Sequence, residues 1–93
     1  MEYRIERMCC ELAKRHGVLN LKIAKRGYPD RLFFGRSKFA FVEFKTHKGV
    51  LSLQQKHVIF VLAQHGIEVQ VITTVEQFKR LLVEEFGVKQ HQL

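Results

Sequence analysis

The chain has 93 residues, 46% of them hydrophobic, and 16 lysines and arginines against 9 acidic residues, for a net charge of +7. That length suits one domain over residues 1–93, and an apolar content without low-complexity stretches excludes a disordered chain. The longest apolar run, Val58 to Ala63, is far too short to cross a bilayer, and the basic excess points to a polyanionic partner, nucleic acid first, although an inert basic surface has the same composition.

Residues Glu2 to His16 read as an amphipathic helix. Ile5, Met8, Cys9, Leu12 and Ala13 fall on one face, and Gly17 is the stop. The opening residues do not form a signal peptide. Cys9 and Cys10 are the only cysteines; neighbours in sequence rarely have disulfide geometry, and no spaced Cys/His set suggests zinc. Cys9 reads as a core residue, and the cysteine usage fits a reducing, intracellular compartment. Val18 to Ala24 alternates loosely, as a strand does. Lys25-Arg26-Gly27-Tyr28 is a basic turn, and Pro29 holds Tyr28 extended.

Asp30 to Lys45 reads as a β-hairpin, with two aromatic-rich runs flanking Gly35-Arg36-Ser37-Lys38. If Phe34 and Phe39 close the loop as a pair, Asp30 faces Glu43, and Lys45 shares the face of Glu43. Two carboxylates and an ammonium then sit at one end of one sheet face, beside a core. Adjacent carboxylates there are costly unless a cation lies between them, and such an oxygen-rich pair suits Mg²⁺ and a phosphodiester. An ordinary hairpin with a surface ion pair has the same sequence pattern.

Thr46 to Val50 is a polar loop. Ser52 with Gln55 makes a capping box that opens a helix to about His65, stopped by Gly66. Its Val58–Ala63 segment is apolar all round and calls for burial on more than one side. Glu68 to Ile72 is a short strand. Thr74 with Gln77 caps a last helix with an apolar face of Val75, Phe78, Leu81, Leu82 and Phe86, and the tail from Gly87 to Leu93 reads as frayed. The order αβββαβα gives a small mixed β-sheet flanked by helices, an α/β (α+β layer) fold whose fourth strand follows a crossover helix and pairs in parallel.

Gly27-Tyr28-Pro29-Asp30 followed by Glu43-Phe44-Lys45 resembles the PD-(D/E)-x-K nuclease signature, and Leu51-Ser52-Leu53-Gln54-Gln55 looks like the Ser-x-x-Gln element of the virus-type replication-repair nuclease (VRR-NUC) family. The resemblance runs from about Glu2 to Ile72. It implies a restriction-endonuclease-like core and an endonuclease dependent on Mg²⁺ or Mn²⁺. Stand-alone members resemble Holliday-junction resolvases, which implies branched DNA as substrate. Many are phage-encoded, which implies action in the cytoplasm of a bacterial host. By the same resemblance Asp30, Glu43 and the Phe44 backbone carbonyl are metal ligands, Lys45 positions or activates the attacking water, and Gln55 touches the site edge. Gln55 is equally explained as a helix cap.

Such nucleases often draw a further acid from the first helix. Glu6 has the family's eleven-residue spacing to Gly17, while Glu2 lies nearer the middle of the apolar face; both are also explained as first-turn acids. Lys22, Lys25, Arg26, Arg31, Arg36, Lys38, Lys48 and Lys56 are candidate phosphate contacts, Tyr28 a candidate stacking residue, and His47 and His57 surface or phosphate-contacting groups. The short chain and the apolar helix point to a homodimer, unless the last helix buries the second side of that helix. The rival reading is a non-catalytic, basic nucleic-acid-binding module of the same fold. RNA binding is disfavoured by the lack of an RNA-binding signature.

Overall fold

The computed structural model describes residues 3–93. The elements are α1 (Tyr3–Arg15), β1 (Leu19–Lys22), β2 (Arg31–Gly35), β3 (Lys38–Phe44), α2 (Leu53–Gln64), β4 (Val69–Ile72) and α3 (Val75–Phe86), followed by a 3₁₀ turn at Gln90–Gln92. This is the expected αβββαβα order. The strands lie side by side as β1-β2-β3-β4; the first three are antiparallel and β4 is parallel to β3.

Alternation along the strands separates the two sheet faces. Phe33 pairs with Asn20 and Ala40, which puts it on the face shared with Val42, Phe44 and Ile72. Cys9, Leu12 and Ala13 of α1 and Phe78, Leu81, Leu82 and Phe86 of α3 close over that face. Phe33 is central, its ring 4.8 Å from that of Phe78 and 6.3 Å from that of Phe44. Cys9 is a core thiol as expected, and burial pushes it up to about 12, so it stays protonated and unreactive.

The hairpin register is the expected one, with Phe34 opposite Phe39. The loop is tighter than a four-residue turn, because Gly35 also pairs with Lys38. Only Arg36 and Ser37 connect the strands, with φ of 53° and 65°. Positive φ at both positions makes this a type I′ turn, whose twist matches that of the strands.

Two further expectations are corrected. The tail is not frayed: Val88 is buried, Leu93 packs on the core, and the Val88 N–H donates to the Leu82 carbonyl. Nor is α2 buried on more than one side. It crosses the face opposite α1 and α3, Val58 is its one buried residue, and Phe60 is 61% exposed. The last helix does not cover it, because α3 packs against α1, β3 and β4.

Candidate active site

The site forms just before β2 begins, where β3 runs on past its last pair with β2. The β2–β3 ladder stops at Arg31 and Val42, leaving the next inward N–H of β3, that of Phe44, without a strand partner in β2. Asp30 supplies one: its Oδ2 accepts that N–H at 2.7 Å. The Asp30 carbonyl meanwhile accepts from the Ile23 N–H at 2.8 Å, so the main chain is held by the β1 side and the side chain by β3. The preceding Gly27-Tyr28-Pro29 corner is pressed onto α2. Gly27 has φ +82°, and a Cβ there would meet Gln54 Cγ at 2.7 Å and Val58 Cγ2 at 3.2 Å. Only glycine fits this approach and this backbone.

Glu43 is 3% exposed. Its Oε2 accepts from Gln55 Nε2 at 2.9 Å and lies 3.5 Å from Lys45 Nζ. Burial, and then the charge of Asp30, push its carboxyl from 4.5 up to about 7, with Lys45 opposing the rise. Gln55 serves two functions at once. Its Oε1 accepts the Ser52 N–H at 2.9 Å and its own N–H donates to Ser52 Oγ at 3.1 Å, while the other end of the amide holds Glu43. The cap and the site contact are therefore one arrangement, and α2 is anchored to the carboxylate by its first turn.

These four side chains, Asp30, Glu43, Lys45 and Gln55, come together as the hairpin register required. The two carboxylates, Asp30 and Glu43, offer only oxygen, which suits a hard divalent cation, while Lys45 and Gln55 turn nitrogen toward Glu43. The N–H and C=O of a strand residue point to the same side, so the Phe44 carbonyl also faces Asp30, beyond the last β2 pair. The raised Glu43 is the second sign of fit: a bound cation would compensate a charge that burial disfavours.

Glu6 does not join them. Among the described residues no group of three His, Cys, Asp or Glu side chains is arranged to hold a metal. Glu6 is buried on the α1 side of the sheet, and its Oε2 accepts from Arg31 Nε at 2.5 Å. Glu2 lies outside the described residues. Arg31 is likewise not a free phosphate contact, since its Nη1 also donates to Asn20 Oδ1 at 2.7 Å.

Of the remaining candidate contacts, Lys22, Lys25, Arg26, Tyr28 and His57 line two clefts, whereas Arg36, Lys38, His47, Lys48 and Lys56 line neither. Lys25, Arg26 and Tyr28 line one with Gln54, His57, Val58 and Val61 of α2. Lys25 Nζ sits 5.6 Å from the Tyr28 ring centroid, a cation–π contact that occupies part of that ring. Lys22 lines the other, with Arg4, Arg7 and Arg31. Arg4 and Arg7 escape notice in the sequence, and their three-residue spacing on α1 is the one local signal for them. Lys48 and Lys56 are exposed. Arg36 donates to the carbonyls of His16 and Gly87, both at 3.3 Å, and so ties the hairpin tip to the ends of α1 and α3.

The family model of the VRR-NUC domain matches residues 4–76, which takes in every strand, α1 and α2. A solved structure described as a VRR-NUC domain superposes with a TM-score of 0.78 at 24% identity, covering 89% of this chain and 95% of that chain. That likeness establishes the fold. No curated protein matches the sequence. No helix among the described residues is long and apolar enough to cross a membrane.

Proposed function

The chain belongs to the VRR-NUC family, a nuclease family, and from that premise we propose that it is a divalent-cation-dependent endonuclease acting on branched DNA, in particular four-way junctions. The observation that carries the reading is Glu43: a carboxyl buried beside Asp30, raised toward neutral pH, with Lys45 and Gln55 already bonded to it or close by. The bond from Gln55 needs only an acceptor at Glu43, which a neutral amide could supply, whereas a cation site needs a carboxylate.

Asp30, Glu43 and the Phe44 carbonyl would hold Mg²⁺ or Mn²⁺. When bound, the ion supplies positive charge against the phosphate and acidifies water. Lys45, 3.5 Å from Glu43, can turn an N–H toward a phosphate oxygen or hold the attacking water in place. Gln55 fixes the rotamer of Glu43 from the first turn of α2. Glu6 acts as counter-ion to Arg31 and would reach the site only if that pair opened. Lys25, Arg26 and Tyr28, which line a cleft with α2, would meet the DNA backbone together with Lys48 and Lys56. The working unit is a homodimer, because a junction takes two matched cuts and the uncovered sheet face suits a second copy.

The test is direct: incubate the protein with labelled four-way, flap and linear DNA, with Mg²⁺, Mn²⁺ or a chelator. Junction cutting that the chelator stops supports the reading. Salt-dependent binding with no cutting in either metal would leave a binding module instead.

A further inference from the structure

We propose that the cleft between α1 and β1, walled by Arg4, Arg7, Lys22 and Arg31, is a second backbone-phosphate site that grips the DNA strand beyond the scissile phosphate. It rests on the nuclease reading above and extends the contact surface to the opposite side of the sheet.

The geometry of the sheet puts the cleft next to the site. Lys22 pairs with Arg31 across β1 and β2, so both project toward α1. Asp30 is the very next residue before Arg31, and its side chain serves β3 instead. The cleft and the carboxylate pair are thus back to back across the same end of the sheet, about one residue, or roughly 3.3 Å, apart along β2. A strand leaving the site around the β1 edge meets Lys22 first, then Arg4 and Arg7.

Charge and shape agree. Four cations surround one carboxylate, Glu6, and that carboxylate is bonded to Arg31, with Asn20 on the guanidinium's other side. Arg4, Arg7 and Lys22 make no ion pair with any described residue and are exposed. Arg4 and Arg7, three apart on α1, line the same cleft, and guanidinium forks match phosphate oxygens. Clustered like charges repel, and an anion relieves that repulsion. The cleft, about 630 Å³, has room for a phosphate and its sugar. Arg31 has an indirect part: by neutralising Glu6 it removes the one charge that would repel a phosphate.

The experiment measures junction-DNA affinity between about 50 and 200 mM salt, with Ca²⁺ replacing Mg²⁺ so that nothing is cut. Wild type, the double variant Arg4→Gln/Arg7→Gln, its charge-keeping counterpart Arg4→Lys/Arg7→Lys, and Arg80→Gln at an exposed position of α3 are compared. The slope of log affinity against log salt should shrink by about 2 in the glutamine pair, with affinity at low salt down about tenfold or more. The lysine pair should restore most of both, which a merely structural role of the arginines would not predict, and Arg80→Gln should match wild type. If wild type binds DNA and the glutamine pair keeps its slope and affinity, the cleft is not a phosphate site and the nuclease reading stands. If wild type does not bind DNA at all, both fall together.

Discussion

A carboxyl group that is 3% exposed, beside a second carboxyl and 3.5 Å from an ammonium, can lower its energy by binding a proton or a cation. For Glu43 this gives a pH dependence of stability whose sign is fixed. Its folded pKa, about 7, lies above the ordinary 4.5. Between those values the folded protein holds a proton that the unfolded chain has released, so stability falls as pH rises across the window. The total loss is about 3 kcal/mol. Denaturant titrations in chelator from pH 4 to 8 should show this decline; Glu43→Gln should flatten it, and Mg²⁺ should restore stability at pH 8. An unchanged decline in Glu43→Gln would assign the effect elsewhere. Asp30→Asn probes the same pair through activity. An asparagine oxygen can still accept the Phe44 N–H, so the fold survives while the charge is lost. Cleavage should drop about 100-fold or more, and Glu43→Gln and Lys45→Ala should also be severely impaired. Metal-dependent cutting by Asp30→Asn at near wild-type rate would refute the assignment.

At the level of elements, the first turn of α2 is where stability and chemistry share one side chain, and two substitutions separate them. Ser52→Ala removes the hydroxyl cap and should cost about 1 kcal/mol while leaving the Gln55–Glu43 contact and most of the activity. Gln55→Glu keeps a capping-box acceptor for the Ser52 N–H but replaces the amide donor to Glu43 with a third carboxylate, so activity should fall far more than in Ser52→Ala, and the melting temperature in chelator should fall too because the carboxylates repel. Equal effects of the two on cleavage would mean that Gln55 acts only as a cap. Both capping boxes were legible in the sequence because caps are local chemistry, and so was the hairpin register, set by a short loop between alternating strands. What was not legible depends on distant partners. Arg36 and Ser37 have no intrinsic preference for positive φ; the turn is held from outside, by the bonds of Arg36 to His16 and Gly87. Val88 and Leu93 look like a free end until α3 offers them a surface. Glu6 sits at the edge of its helix face, and only Arg31, 25 residues away, decides which way it is used. Because the strain at Ser37 serves no bond of its own side chain among the described residues, Ser37→Gly should raise stability by about 0.5–1 kcal/mol in a melting experiment.

The whole molecule leaves one sheet face unfinished. Leu21, Leu32, Phe41 and Val69 form a row across all four strands, and Leu19, Phe34 and Phe39 form a second row beside it. They lie on the face opposite α1 and α3. Among the described residues only α2 covers that face, and it occupies the Glu43 end. Leu19, Leu21 and Phe39 are each more than half exposed, and the Phe39 and Phe41 rings pack edge to face, 6.1 Å apart, against each other rather than against a helix. A contiguous apolar surface of this kind on a small basic domain calls for a partner. A two-fold axis over it pairs like with like, apolar rows on apolar rows, and carries two Asp30–Glu43 sites on one particle, as paired cuts in a junction need. The expected species in sedimentation at micromolar concentration is twice the 11.0 kDa chain. Leu21→Glu/Phe39→Glu places charges on the uncovered face without touching the buried core, so the variant should remain folded by circular dichroism, sediment as a monomer, and give single nicks in place of paired cuts. A wild-type chain that sediments cleanly at 11.0 kDa and still resolves junctions would reject the interface and the paired-cut mechanism together.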